Sequence, residues 1–222
     1  MTEKKTTSGA ITRQAMIKNG LILAVFALFC TGIVALVNSL TADRIQLQQQ
    51  QQLTQTLAEI IPTNLHDNRL IDYCILVHDP KLLGTDNSLP AYIATKDNRP
   101  VAMAIETIAP DGYNGDIKIV IGVDNNNKVL GVRTLAQNET PGLGDQIDTR
   151  KSDWVKQFTN WIFDIDAAPL KVKKDGGTID QFTGATITPR AYVGAINRTL
   201  KFVDQNRKQL YLSPIDCEAN NE

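Results

Sequence analysis

Histidine and cysteine are scarce in this chain of 222 residues, with two of the first and three of the second. His66 and His78 stand apart from each other and from any cysteine pair, so the ligand spacings of zinc and haem sites are not met. Two glycine-rich phosphate-binding patterns are missing as well, G-x-x-x-x-G-K-[ST] and G-x-G-x-x-G. The centre of the chain lacks the strand–helix alternation of a doubly wound nucleotide fold. Basic charge is in no excess. The formal charge is −1, and Lys4, Lys5, Arg13 and Lys18 all fall before residue 19, opposed there only by Glu3. The remainder is mildly acidic, which disfavours nucleic acid, because binding needs Lys and Arg to displace counterions from phosphates. With 42 % hydrophobic and 21 % charged residues, the composition is globular, neither disordered nor fibrous. The length admits one ordinary domain and a short appendage.

One absence is local. No charged residue interrupts residues 21–37, and eleven of those seventeen positions are Leu, Ile, Val or Phe. On an insertion scale such a run favours the membrane by about 3–7 kcal/mol. Seventeen helical residues reach about 26 Å against a hydrocarbon core of about 30 Å, and residues 19–20 and 38–40 close the gap. This predicts a transmembrane helix over 19–40 behind a basic tail over 1–18. A cleaved secretory signal is the competing reading, but the run is long for a signal core and no small-x-small site follows it. The basic tail keeps the N-terminal end in the cytoplasm and sends the rest across, into the periplasm of a Gram-negative cell. Cys74 and Cys217 would then lie where disulfides persist. They permit one bridge, or remain as two thiols; Cys30 lies within the span.

Residues 41–62 read as a helical stalk, with Ile45, Leu53, Leu57, Ile60 and Ile61 at helical spacing among glutamines until Pro62. The domain over 63–222 begins irregularly, with a short strand at 73–77. Strand signals follow at 92–94 and 101–108 around a turn at 97–100, then at 117–123 and 129–135 around 124–127. Two successive hairpins predict an α+β domain with a twisted antiparallel sheet and flanking helices. A short helix is expected over 152–158, with Trp154 and Phe158 on one face.

The chemically informative stretch is Asp180-Gln181-Phe182-Thr183-Gly184-Ala185-Thr186-Ile187-Thr188-Pro189-Arg190. Thr188 suits a helix N-cap and Pro189 the first helical position, with the helix carried to about Val203. Thr186 therefore sits on a small-residue turn just ahead of a helix N-terminus, where N–H groups and the helix dipole favour a phosphate. From physics alone this is an anion site or an ordinary helix cap.

The same stretch resembles the D-x-x-[ST]-G-A-T flavinylation motif of the FMN-binding domain family, matched by Asp180, Thr183, Gly184, Ala185 and Thr186. A second hallmark of that family, Glu-Thr-Pro-Gly-Leu-Gly, stands at Glu139-Thr140-Pro141-Gly142-Leu143-Gly144. A third, Gly-Tyr-x-Gly before a strand, stands at Gly112-Tyr113-Asn114-Gly115. Three ordered motifs behind an anchor resemble the G subunits of Rnf-type (Rsx-type) ion-translocating electron-transport complexes over nearly the whole chain. The resemblance implies FMN joined to the Thr186 hydroxyl by a phosphoester, installed by a flavin transferase that uses FAD and magnesium. Asp180 would assist modification or cap the turn. Glu139 and Thr140 would hydrogen-bond the flavin, Gly142 and Gly144 would bring backbone N–H groups close, and Leu143 would pack on the ring or on the core. Lys171, Lys173 and Lys174 would face the phosphate or form an alternating, solvated edge strand.

It further implies an electron-carrying subunit of an inner-membrane oxidoreductase, an incomplete enzyme by itself, with iron–sulfur and second flavin subunits as partners. No catalytic residue or metal ligand is expected in this chain. Two rivals stand beside that reading. One is the related C subunit of sodium-translocating NADH:quinone reductases; Thr183, the Ile187–Arg190 continuation and the shorter length point away from it. The other is a non-redox, membrane-anchored binding or sensor module in which the 186–189 turn is only a cap.

Overall fold

The computed structural model describes residues 5–215 and Cys217, and the chain separates into two compact units, 1–51 and 52–222. The first unit lies within helix α1 (Lys5–Ile60, 56 residues) apart from residues 1–4 of the basic tail, which are outside the described residues. Among the described residues one helical stretch, Arg13–Ala42, is long and apolar enough to cross a membrane, and none of it is buried within the chain. The stalk predicted over 41–62 is continuous with that span in one helix, which stops two residues short of Pro62.

The second unit is built on five antiparallel strands in sequential order: β1 (Cys74–Val77), β2 (Leu89–Lys96), β3 (Arg99–Ala109), β4 (Ile117–Asp124) and β5 (Val129–Ala136). The turn between β2 and β3 is tighter than the four residues expected from sequence. Asp97 and Asn98 take φ of 51° and 59°, the mirror-image turn that matches strand twist, so Arg99 and Pro100 belong to β3. Pro100 fits because pairing with β4 begins only at Ala102. At the next turn Asn127 has φ 59°, and the Asp124 carboxylate accepts from the N–H groups of Asn126 (2.8 Å) and Lys128 (2.9 Å).

Alternation along the strands gives the sheet two apolar faces. Met103, Ile105, Ile119, Ile121 and Val132 share a core with Tyr192, Ala195, Ile196, Leu200 and Val203 of helix α3 (Ile187–Leu212), the short helix α2 (Pro80–Leu83) lying between β1 and β2. Ala94, Ala102, Ala104 and Val120 meet Leu57 and Ile60 from the end of α1 and Ile61 just after it. Gly122 and Gly131 are paired across β4 and β5, and a Cβ on Gly122 would collide with Ile60 Cγ2. The absence of side chains there lets the helix end seat on the strands. On the same face the buried Glu106 accepts from the Tyr92 hydroxyl (3.0 Å) and pairs with Lys118 Nζ at 2.6 Å. Burial, and then that carboxylate, push the Tyr92 hydroxyl well above the ordinary phenol range. Cys74 on β1 is joined to Cys217 by a disulfide, with Cα atoms 5.4 Å apart and a sequence separation of 143.

Helix α3 runs nine residues beyond the Val203 end expected from sequence. Its extension is tied to the β4–β5 turn: Arg207 donates to the Asp124 carbonyl and to Asn127 Oδ1 (each 2.5 Å), and the Tyr211 hydroxyl donates to Asn125 Oδ1 (2.6 Å). Burial pushes that hydroxyl up to about 12. The short helix expected near 152–158 is a 3₁₀ turn, Trp154–Phe158. Trp154 lies 5.3 Å from Phe158, 5.0 Å from Phe182 and 5.5 Å from Tyr192, ring centre to ring centre. An aromatic cluster thus supports the chain just before Thr183. Residues 171–174 form no edge strand. Val172 bridges Ile179, and Lys173–Asp175 is a 3₁₀ turn closed by Gly176 at φ 81°.

Candidate functional site

The turn that joins β3 to β4, the loop after β5 and the start of α3 converge on one cleft of about 240 Å³. Tyr113 comes from the first segment, Glu139, Thr140, Leu143 and Gly144 from the second, and Gly184 to Thr188 from the third. The three sequence motifs, far apart along the chain, therefore form the walls of a single site.

Each wall has a local cause. In the β5 loop, the Thr140 carbonyl accepts from the N–H groups of Leu143 and Gly144, both 3.1 Å. Gly142 takes φ 76° and donates its N–H to Asp145 Oδ1 at 2.7 Å. In the third segment, Gly184 at φ 83° turns the chain between Phe182 and Ala185, and the Ala185 N–H returns to the Phe182 carbonyl at 3.3 Å. Both left-handed positions suit glycine. Leu143 Cδ2 would stand 3.3 Å from a Cβ on Gly184, so the two loops approach closely across the cleft.

The helix begins two residues earlier than the sequence suggests. Thr186, not Thr188, is the N-cap residue, with φ −93° and ψ −25°, and its side chain makes no capping hydrogen bond. Thr188 is the second helical residue and Pro189 the third, still within the first turn, where a missing N–H costs nothing. Thr188 is only 1 % exposed, and its hydroxyl donates to Glu139 Oε2. Tertiary contact with Glu139, 49 residues away, has taken the side chain that would otherwise cap.

Other expected contacts lie off the cleft. Asp180 pairs with Lys173 Nζ at 2.5 Å, and its carbonyl accepts from Trp154 Nε1 at 2.7 Å. Thr183 is exposed on the turn, and Gly142 is turned toward Asp145. Glu139 does line the cleft, but its carboxylate already accepts from the Asn114 N–H (3.1 Å) and the Thr188 hydroxyl. Tyr113, Ile187 and Thr188 line the cleft although the sequence does not mark them as contacts. For Tyr113 the available signal is its place inside the Gly-Tyr-x-Gly motif.

Comparison with known proteins places this cleft. Residues 112–201 match the family model of the FMN-binding domain, and residues 1–60 match the RnfG N-terminal region. A Shewanella baltica protein, named as the G subunit of an ion-translocating oxidoreductase complex, is 54 % identical over 211 residues, 95 % of this chain and 100 % of that protein. Proteins of the same name from Shewanella amazonensis and Vibrio cholerae are 56 % and 55 % identical, over 93 % and 92 % of this chain and 96 % and 98 % of their own lengths. The chain belongs to the G-subunit family of ion-translocating oxidoreductase complexes. The match over residues 1–60 sets it with that family. With the apolar helix Arg13–Ala42, this family member is a membrane-anchored protein.

The residues present fit FMN. For the phosphate there is the N-terminus of a 26-residue helix, whose first N–H groups have no intrahelical partner. For the ring there are three apolar side chains on the rim, Tyr113, Leu143 and Ile187, all exposed. Among the described residues no cation lines the cleft, since Lys173 is paired with Asp180 and Arg190 with Asp175 (2.7 and 2.5 Å). The Arg190 guanidinium beside Asp175 holds that carboxyl below the usual carboxylate range. The helix terminus is therefore the feature of the cleft suited to an anion. Of the three threonines between 183 and 188, Thr188 is buried and Thr183 stands off the cleft. Thr186 alone of these combines a place on the wall with a hydroxyl that makes no capping hydrogen bond.

Proposed function

We propose that the chain is the electron-carrying subunit of a membrane-bound, ion-translocating oxidoreductase, with FMN esterified to Thr186. The observation that carries this reading is the uncapped Thr186 hydroxyl on the wall of the cleft, at the start of α3. In the attachment, Thr186 Oγ1 attacks the FMN-side phosphorus of FAD on a magnesium-dependent flavin transferase. The hydroxyl proton goes to a base of that enzyme, the bond between the bridging oxygen and that phosphorus breaks, and AMP leaves. A threonine hydroxyl is a weak nucleophile, so activation has to come from the transferase. When bound, FMN supplies reversible electron transfer. The chain's own residues would hold it: the start of α3 would take the phosphate, and Leu143, Ile187 and Tyr113 would line the ring.

Residues 1–18 form the cytoplasmic tail, 19–40 cross the inner membrane, 41–62 make the stalk, and 63–222 make a periplasmic FMN-binding domain. The span has no charged residue over 21–37, so ion movement belongs to other subunits, as do iron–sulfur and second flavin centres. The test is direct. Full-length chain made with a flavin transferase is denatured and run on a gel under ultraviolet light. A fluorescent band is expected from the wild type and none from Thr186→Val. A colourless wild-type band, or fluorescence retained by the variant, refutes the assignment. Purification of the native assembly should bring down iron–sulfur protein; its absence counts against the complex.

A further inference from the structure

All three motifs meet at one carboxylate that does not face solvent. Glu139 is 5 % exposed. Its Oε1 accepts from the Asn114 N–H (3.1 Å) in the β3–β4 turn, and its Oε2 accepts from the Thr188 hydroxyl in the first turn of α3. Its own N–H donates to Gln137 Oε1 at 2.6 Å, which fixes the backbone at the head of the loop. Two glycines lie against this carboxylate. A Cβ on Gly112 would stand 2.2 Å from the Gly115 carbonyl oxygen and 2.9 Å from Oε1, and a Cβ on Gly144 would stand 2.7 Å from both Oε2 and Thr188 Oγ1. Neither glycine has a positive φ, so close approach, and not backbone conformation, is what excludes a side chain there.

We propose that Glu139 is a positioning residue: by holding Thr188 against the 139–144 loop, it fixes the first turn of α3 and with it the pose of the Thr186 hydroxyl. Thr186 lies two residues before Thr188 at the start of that same turn. Holding Thr188 from the side restrains the first turn of the helix, and with it the helix start at Thr186. The inference rests on the reading of Thr186 as the flavin-bearing residue. Glu139 acts on that residue only through Thr188 and the loop. Its carboxylate is shared between two protein donors, which leaves it structurally committed. Displacement of a reacting atom by about 1 Å costs on the order of a hundredfold in rate, so a loosened first turn should appear in the speed of modification.

The experiment uses full-length chain in detergent micelles with a purified flavin transferase and FAD, following covalent flavin per chain with time and thermal unfolding in parallel. Thr188→Val removes the hydroxyl at constant shape and is expected to slow incorporation about tenfold or more at saturating transferase. The fall should be in the maximal rate, with half-saturation by the chain little changed. Thr188→Ser restores the donor and should recover most of the rate. Glu139→Gln should recover far more than Glu139→Ala, because its amide can donate to the Thr188 hydroxyl while its oxygen accepts from Asn114. Wild-type rates in a folded Thr188→Val, or equal loss in the valine and serine variants, overturn the proposal. If Thr188→Val does not fold, the Glu139 pair decides: equal loss in both is the overturning result. Failure of the Thr186 reading is separate, since it would leave either the wild type without covalent flavin or Thr186→Val still carrying it.

Discussion

Adding one methyl group at Gly122 tests how closely the end of α1 lies on the sheet. The position of that methyl is already filled by Ile60 Cγ2, and Ile60 is fully buried. Gly131, its partner on β5, lies against the same residue, with Ile60 Cα 3.5 Å from where a Cβ would stand. The backbone of β4 is hydrogen-bonded on both sides, so the helix end has to give. Overpacking of this kind costs about 1–3 kcal/mol. Full displacement of Ile60 from its seat forfeits about 1.5–3 kcal/mol of burial. Gly122→Ala should therefore lower stability by about 2 kcal/mol, or roughly 4–8 °C in Tm for a unit of this size. Ile60→Ala alone should cost about 2–5 kcal/mol through the cavity it leaves. In the double variant the new methyl occupies part of that cavity, so the combined loss should fall short of the sum by about 1 kcal/mol. The assay is urea unfolding of the full chain in micelles by tryptophan fluorescence, since the two tryptophans, Trp154 and Trp161, both lie in the second unit. A wild-type midpoint for Gly122→Ala, or strict additivity in the double variant, would refute the close approach.

Two further outcomes follow from the fold. The Cys74–Cys217 bridge spans a sequence separation of 143, for which chain-entropy theory gives about 5 kcal/mol, so reduction or Cys217→Ser should lower the urea midpoint markedly; an unchanged midpoint in reductant would show that the bridge adds nothing. Burial raises the hydroxyls of Tyr92 and Tyr192 above the phenol range and that of Tyr211 to about 12. The unfolded chain's phenols ionise near pH ~10, so above that pH unfolding releases protons and stability falls, with the Tyr211 share lost between about 10 and 12. Tyr211→Phe should flatten the fall in that window, as read by unfolding midpoints from about pH 8 to about pH 11.5; an identical slope would contradict the shift.

What the sequence reveals, and what it hides, divides by the range of the interaction. The anchor is legible because an uncharged apolar run has few other uses. The hairpins are legible because alternation and Asn/Asp turns act over short range, though the first turn is shorter than those residues suggest. The place of Thr186 at the head of a helix, beside the other two motifs, is legible through motif order. Local grammar puts the N-cap at Thr188 because it cannot know that Glu139 claims that hydroxyl from 49 residues away. The extension of α3 is hidden for the same reason, since Arg207 and Tyr211 are held by partners 80 or more residues distant. Asp180 looks like a site residue in the motif, yet its carboxylate answers to Lys173, whose proximity depends on a 3₁₀ turn that lysine-rich sequence does not announce.

The disulfide makes the finished molecule depend on when and where it is completed. Cys74 opens the first strand, whereas Cys217 follows α3, so the second thiol leaves the ribosome after every strand of the sheet. The bond can therefore close only after all five strands have been synthesised. Its formation also requires an oxidising compartment. A copy retained among cytosolic thiols would lack the tie between β1 and Cys217 and the stability that the bond adds. Identical chains would thus differ in lifetime according to the side of the membrane their domain had reached.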